Sequence, residues 1–415
     1  MRNNVGKGRD EDTMAAAGNG ARRHIKSLPS KRGSPHVAAG RSTRGGVTGA
    51  QRAAKGRVSG EEIGTVPVGL RSIGVYYPET VITSREIAGW SGIPETVIRE
   101  KFGIESKRKA GPEDTVSEMC TKAARNCLQG IIEPEAIDLL IYHGSEYRDY
   151  YVYNCSAQIQ HKLGAVNAKT FELHNLCSSG PLALQLARSL MLVHSEIKNT
   201  LLVVGTRESD LVDYRNERAR FMFNFADGAA ACLLQRSCDR NEILATEMIT
   251  DGSFATDVAV HAIGNVNYAQ GFQLEPDFGL AEEAKAQGKK VSYYGLDVSD
   301  PVSMKERLDT LSLANFVKVI RGAAEKSGYN PYEIKFLAPI FMKRSILDHI
   351  LAQFHMTPEQ SFVLKSFGHV QSADAYISVY EGLKLGRIRE GDLVIMLGAG
   401  TGYSWVATAL KWGKC

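Results

Sequence analysis

The chain has 415 residues, 43% hydrophobic and 23% charged, a composition that fits a globular protein and excludes a collagenous or wholly low-complexity one. The net charge of +4 is unevenly spread: residues 1–60 hold 13 Lys/Arg against 3 Asp/Glu, and the rest hold 37 against 43. The main body is thus mildly acidic, which argues against nucleic acid as a partner, and no apolar run reads as the ~18 residues that announce a membrane span.

Residues 1–62 are rich in Gly, Ala, Arg and Ser and almost lack large apolar side chains. Such a segment cannot bury enough surface to offset its ordering entropy, so a disordered basic N-terminal extension is expected. An organellar leader, a nucleic-acid-binding tail and a dispensable extension are its three readings.

Order is expected from near Val66, where VPVGLRSIGVYYPETVI alternates like a strand with a Pro-Glu turn. Helical spacing follows at 84–101 and 113–129, then a buried strand at 137–145 and a helix at 152–163. AKTFELHN leads into Cys177, and NTLLVVGT (199–206) reads as a central strand covered on both faces. After a charged loop at 207–220, RFMFNFADGAAACLLQR reads as strand, Asp-Gly turn and strand. Residues 241–300 lose periodicity and read as an irregular insertion near the site. Val302–Ser327 is an amphipathic helix, FLAPIFM (336–342) a strand and 343–355 a helix. SFVLKSFGHVQSADAYISVYEGLKLG then gives strand, turn and helix, and DLVIMLGAGTGYSWVATALKW two strands around a Gly-rich turn.

The two halves echo one another. NTLLVVGT…FADGAAACLLQ matches DLVIMLGAGTGYSWVATAL, and a turn-to-helix carrying Cys177 matches one carrying His369. A duplicated βαβ-rich unit is expected, with an N-terminal half at 63–240 and a C-terminal half at 301–415.

Cys177 stands in KTFELHNLCSSGPLALQLARSL, at a turn of small residues before an apolar helix with Pro181 near its start. A thiol there is either a small core residue or a nucleophile whose thiolate the helix N-terminus favours. Seven cysteines lie scattered without CxxC pairs or metal-ligand spacing, which points to reduced thiols in a cytoplasmic protein and to no metal site.

From Val66 to Trp412 the chain resembles the thiolase superfamily, specifically β-ketoacyl-ACP synthase III-like condensing enzymes. The resemblance is carried by LRSIGVYYPETVITSREI, KFGIESKRKAGPEDTVSEM, LCSSGPLAL, FNFADGAAACLL and GHVQSADAYISVYEGLKLGRIREGDLVIMLGAGTGYSWVATAL, in that order. It implies an α/β fold of five layers, αβαβα, built from two duplicated halves, and a homodimer. It implies that Cys177 becomes acylated from an acyl-CoA or acyl-carrier-protein phosphopantetheine thioester, with no tightly bound cofactor. The GAGTG turn lacks the lysine and spacing of a phosphate loop; by the resemblance its Gly400 and Gly402 supply backbone N–H groups toward an oxyanion. Asp227, before Gly228, reads as a turn residue and not a metal ligand.

The departures matter as much. The family pattern places a histidine where Ile340 stands and an asparagine where His369 stands. The expected set is therefore Cys177 as nucleophile, His369 as base and Asp374, five residues on, as the carboxylate orienting the imidazole or as a capping residue. Decarboxylating a malonyl group needs donors at the thioester oxygen, and Ile340 removes one. Val97 stands where a tryptophan would stack on adenine, and Lys101 matches a basic residue nearby; with Lys107 and Arg108 it forms either a patch for an acidic carrier protein or a solvated face. Glu146 is a candidate extra base, and Tyr150, Tyr151 and Tyr153 either line an acyl pocket or pack in an interface. Three readings stay open: acyl transfer to a non-malonyl acceptor, in fatty-acid-like or polyketide biosynthesis; decarboxylative condensation; and an inactive partner subunit.

Overall fold

The computed structural model describes residues 66–260 and 295–414. The basic extension at 1–62 and the middle of the expected insertion, 261–294, lie outside the described residues.

The first half runs β1 (Val68–Tyr76), β2 (Thr80–Thr83), α1 (Ser84–Ser91), α2 (Glu95–Glu100), β3 (Ser106–Lys109), α3 (Val116–Leu128), β4 (Leu139–Gly144), α4 (Cys155–Leu163), β5 (Lys169–His174), α5 (Ser179–Val193), β6 (Asn199–Thr206) and β7 (Gly228–Arg236). The second runs β8 (Arg240–Thr250), β9 (Val258–Ala259), β10 (Asp297–Val298), α6 (Pro301–Lys326), β11 (Ile334–Ala338), α7 (Arg344–Gln353), α8 (Asp374–Lys384), β12 (Leu393–Gly400) and β13 (Ser404–Lys414).

Nine strands follow one another in the order β11-β12-β13-β8-β1-β7-β6-β4-β5. They form two blocks, because β1 and β8 share a single residue pair, Gly69 with Glu242. The blocks have the same internal order: β5-β4-β6-β7-β1 in one, and in the other β11-β12-β13-β8, extended beyond β11 by a lone parallel bridge from Leu337 to Ser361. Each has a parallel pair beside an antiparallel one, β4–β6 then β6–β7 against β11–β12 then β12–β13. The duplication is therefore a property of the fold.

Helices complete five layers. Helices α3 and α4 cover the outer face of the first block, and α6, with α7 packed on it, covers that of the second. Between the blocks lie α5 and α8, each touching strands of both. Helix α5 is apolar on more than one side because it sits in this middle layer; Gly180, Ala183, Leu184, Ala187 and Met191 bury at i, i+3, i+4 spacing. The stretch Leu176–Val193 is apolar enough by length and composition to cross a membrane, contrary to the reading of no such run, and half of it is buried between the two blocks.

Several elements differ from the sequence reading. Residues 241–250, read as the start of an irregular insertion, form β8, paired along most of β13. Glu242 and Glu247 masked its alternation; Glu247 is there because it pairs with Lys326 of α6 at 2.8 Å. RFMFNF, read as a strand, is a 3₁₀ segment over Glu217–Asn224, with Ala219, Met222 and Phe223 buried at helical spacing. Residues 361–366 form no regular strand: the Lys365 and Phe367 carbonyls instead accept from the N–H groups of Glu105 and of Ser106 and Arg108 in β3. The stretch 84–101 is two short helices, α1 ending at Gly92 with φ +71°.

Candidate active site

The two middle helices begin side by side, and their preceding turns carry Cys177 and His369. Leu176–Ser178 is one 3₁₀ turn, entered through Leu176 at φ +49°, a conformation that strains a leucine. The Asn175 side chain donates to Ser178 Oγ at 2.8 Å, and that hydroxyl donates to the Asn175 carbonyl at 2.7 Å. These bonds fix the turn locally. Glycines fix it from outside: a Cβ on Gly400 would lie 2.9 Å from the Asn175 carbonyl and from Ser178 Oγ, and one on Gly398 3.1 Å from Ser178 Cα. Gly400 thus packs against the Cys177 turn. At Gly402, whose φ is +106°, the place of a Cβ has no atom within 4 Å.

His369 follows Gly368, whose φ is +82°. The His369 N–H donates to the Asn224 carbonyl at 2.8 Å, and its carbonyl accepts from Ala226 N–H at 2.9 Å. Phe225 between them lays its ring 5.2 Å from the imidazole. The approach of the two turns requires Gly180, whose Cβ would meet the Ser372 carbonyl at 2.5 Å. Tyr376 Oη, from α8, donates to the Gly180 carbonyl at 2.8 Å, and Thr408 Oγ1 to that of Pro181 at 2.8 Å.

The result is a linear array. His369 Nε2 lies 3.3 Å from Cys177 Sγ, and its Nδ1 lies 2.5 Å from Asp374 Oδ2. Asp374 is the first residue of α8 and also accepts from Val370 N–H and Phe341 N–H, each at 2.7 Å. Cys177 is 7% exposed and His369 5%. Burial would push the imidazole down, but Asp374 and then Cys177 outweigh it and hold His369 well above the usual histidine range. For Cys177 burial prevails, raising the thiol despite the opposing pull of His369. Burial thus works against the thiolate that the helix start would favour, and the imidazole is the group that works for it. Ile340 is buried in the same apolar cluster as Cys177, its N–H on the Leu397 carbonyl at 2.9 Å, and its side chain brings no donor where the family pattern has a histidine.

The remaining sequence candidates lie elsewhere. The Glu146 side chain is 75% exposed and comes within 3.8 Å of His174, not of Cys177. Tyr151 is exposed; Tyr153 stacks edge-on with Tyr150 and under Arg148. Lys101 is an exposed residue at the end of α2. The expected basic patch does not form, because Lys107 is fully buried. Its Nζ donates to the carbonyls of Phe223 at 3.0 Å and Phe225 at 2.5 Å, and burial pushes it down to about 7. It holds from behind the segment that grips His369. Arg108 is half-buried and donates to the Pro78 carbonyl at 3.2 Å.

Sequence reasoning missed two polar groups here. Asn224, whose carbonyl receives the His369 N–H, has a buried side-chain oxygen with no partner among the described residues. Glu208, read as part of a charged loop, is 5% exposed. No local pattern reveals either, since both owe their burial to distant segments.

Known proteins were compared with this arrangement. The family described as 3-oxoacyl-[acyl-carrier-protein] synthase III matches residues 171–252, and its C-terminal model matches 324–412. The β-ketoacyl-[acyl-carrier-protein] synthase III of Aquifex aeolicus is 27% identical over 342 residues, covering 82% of this chain and 97% of that protein. The priming β-ketosynthase of the R1128 polyketide pathway superimposes with a TM-score of 0.70 at 22% identity, over 84% of this chain and 97% of that one. Xanthomonas campestris OleA, solved with lauric acid and lauroyl-CoA, gives 0.66 at 18% identity, over 83% and 99%.

Proposed function

We propose that the chain is a β-ketoacyl-ACP synthase III-like condensing enzyme of the thiolase superfamily that loads an acyl group from a CoA or carrier-protein thioester onto Cys177 and passes it to a second substrate that is not a malonyl thioester. The observation that carries this reading is His369 Nε2 at 3.3 Å from Cys177 Sγ, with Asp374 on the other ring nitrogen.

In the first half-reaction His369 takes the Cys177 proton. The thiolate attacks the thioester carbonyl, and the imidazolium gives that proton to the departing thiol as the old C–S bond breaks. Asp374 keeps Nδ1 protonated, so Nε2 faces the sulfur as an acceptor, and it stabilises the imidazolium once formed. In the second half-reaction an acceptor attacks the acyl-Cys177 carbonyl and the Cys177 thiolate leaves. A carbonyl oxygen developing charge here meets backbone N–H groups near Gly400 and the Nε2–H of a protonated His369.

Ile340 favours the non-malonyl version. Donors at the enolate oxygen ease the loss of CO₂ from a malonyl thioester, and Ile340 supplies none where the family pattern has a histidine. The relatives' names support fatty-acid or polyketide biosynthesis as its setting. Strand β5 ends its sheet with partly buried side chains, which supports a homodimer closed along that edge; an edge left open is prone to pairing. Free thiols at Cys120, Cys127, Cys155, Cys177, Cys232 and Cys238 support a cytoplasmic location.

The experiment supplies labelled malonyl-CoA and malonyl carrier protein to acylated enzyme. This proposal predicts that no CO₂ is released above the level of a Cys177→Ala control. CO₂ release with ketoacyl product assigns the decarboxylative reading instead. An enzyme that accepts no acyl group from any donor is an inactive partner subunit, a reading that the intact Cys177–His369–Asp374 array speaks against.

A further inference from the structure

We propose that Glu208 is a second acid–base group of the Cys177 chamber, one that takes the proton from the acceptor in the transfer half-reaction. The inference rests on the acyl-Cys177 reading above and adds to it a residue that lies outside the Cys–His–Asp array.

Topology brings Glu208 to the site. Strands β4 and β6 run parallel in register, Leu139 opposite Thr200 and Tyr142 opposite Val203, and both end on the side where β5 leads into Cys177. The end of β4 touches the Cys177 turn, and the ends of both strands touch the Gln371–Ala373 turn that follows His369. Ser145 continues β4, and Glu208 opens the 3₁₀ turn after β6. Brought together here are two buried turns and a carboxyl, at the carboxyl ends of parallel strands where ligands of open α/β sheets bind.

That turn is built to hold its side chains inward. Asp227, itself fully buried, accepts from Ala110 N–H at 2.8 Å, from Ser209 N–H at 3.2 Å and from Ser209 Oγ at 2.7 Å. The Glu208 N–H donates to Thr206 Oγ1 at 3.2 Å. The Ser145 hydroxyl is the polar side chain that works against the burial of this carboxyl, and no lysine or arginine pairs with it among the described ion pairs. The charged and titratable groups that act on it or feel it are His369, Asp227, Cys177 and Tyr142. A carboxyl buried without a cation costs stability, and structural need does not explain it, because Asp227 already ties the turn. Burial pushes it up to about 7, the range in which a group exchanges protons readily near neutrality.

The chemistry leaves such a group a task. Acylation removes the Cys177 thiol, yet Asp374 stays on Nδ1 and still favours the imidazolium. A His369 that regains its proton from solvent donates Nε2–H to the acyl oxygen and cannot also serve as base. Glu208 then accepts the proton of the acceptor X–H as the X lone pair forms the bond to the acyl carbon. The C–Sγ bond breaks and leaves its electron pair on sulfur. The proton on Glu208 passes to the Cys177 thiolate, and His369 gives back to solvent the proton it took up after acylation, which restores the resting site with no net change in charge.

The test compares wild type with Glu208→Gln, which keeps the volume and an oxygen for Ser145. Full-length enzyme is loaded with acetyl-, octanoyl- and malonyl-CoA, adduct formation is followed by intact mass, and its loss is timed in water, with ethanol and with hydroxylamine. The expected result is unchanged loading, a fall of about 10²-fold or more in transfer to water and ethanol, and near-normal transfer to hydroxylamine, which needs no base. The pH profile of transfer should also lose its limb near neutrality. Transfer to water and ethanol at the wild-type rate overturns the inference, as does a parallel loss of loading and transfer. Glu208→Asp, retaining the carboxyl, should recover part of the rate, and it replaces the glutamine variant should that fail to fold. Wild type that never carries an acyl group on Cys177 marks failure of the underlying reading, whereas an acylated wild type with an indifferent glutamine variant marks failure of this one.

Discussion

Asp374 Oδ2 lies 2.5 Å from His369 Nδ1 and 2.7 Å from the N–H of Phe341, so one oxygen ties the imidazole to the segment after β11 that carries Ile340. The same carboxylate, through Oδ1, accepts from Val370 N–H. It is thus both an orienting group for His369 and the clamp between two segments of the site.

Asp374→Asn should reduce turnover by about 10²–10⁴-fold while leaving the fold recognisable. It should also change stability with a definite sign. His369 is raised in the folded state, so its contribution is fully present below the usual histidine value of about 6.5 and is lost as pH rises through the folded value. Thermal melts should therefore show the variant most destabilised, relative to wild type, at pH 6 and below, with the gap narrowing in alkali. A gap constant with pH would detach the His369 shift from Asp374.

His369→Ala should make Cys177 slower to alkylate. Burial already raises the thiol, and His369 is the group that pulls it down. Removing the imidazole should move the iodoacetamide rate profile to higher pH, each unit of movement costing about tenfold in thiolate below the thiol's own value. An unmoved profile would mean that the 3.3 Å contact has no electrostatic consequence.

Gly368→Ala should abolish activity through geometry alone. A Cβ there meets Ala226 Cβ at 2.5 Å, Lys107 Cβ at 2.7 Å and the Asn224 carbonyl at 2.9 Å, in a backbone with φ +82°. Strain of about 1–3 kcal/mol should appear as a lower melting temperature, together with loss of Cys177 acylation. Full activity would show that the His369 turn has room to shift.

Glu208→Gln should stabilise the protein at alkaline pH. A carboxyl raised to about 7 contributes stability below its ordinary value near 4.3 and loses it as pH climbs through 7. The glutamine variant escapes that loss, so its advantage should be absent at pH 4 and reach up to about 3 kcal/mol at pH 8. A difference that does not change with pH would mean that Glu208 does not titrate in the folded state.

How much of this was legible in the sequence depended on whether the signal was local. Strands β4, β6 and β12 are continuous apolar runs because helices cover both their faces, and the Cys177 and His369 turns were visible as Gly- and Ser-rich breaks before apolar helices. Placing His369 beside Cys177 came from the resemblance, not from spacing, and the structure brings the two together. Strand β8 stayed hidden because Glu247 answers a lysine on α6, far along the chain. Lys107 read as part of a basic surface run because nothing near it in sequence announces the two carbonyls that bury it. Glu208 was lost for the same reason: its burial is imposed by Asp227 and Ser145, neither adjacent to it.

The central claim is that Cys177 carries the acyl group. Intact-mass analysis of the full-length protein after incubation with acetyl-, octanoyl- and malonyl-CoA tests it most directly. Wild type should gain the mass of one acyl group from at least one donor, with the adduct on the peptide containing Cys177, and Cys177→Ala should gain none. An adduct that persists in Cys177→Ala, or wild type that stays unmodified with every CoA and carrier-protein donor, would contradict the account.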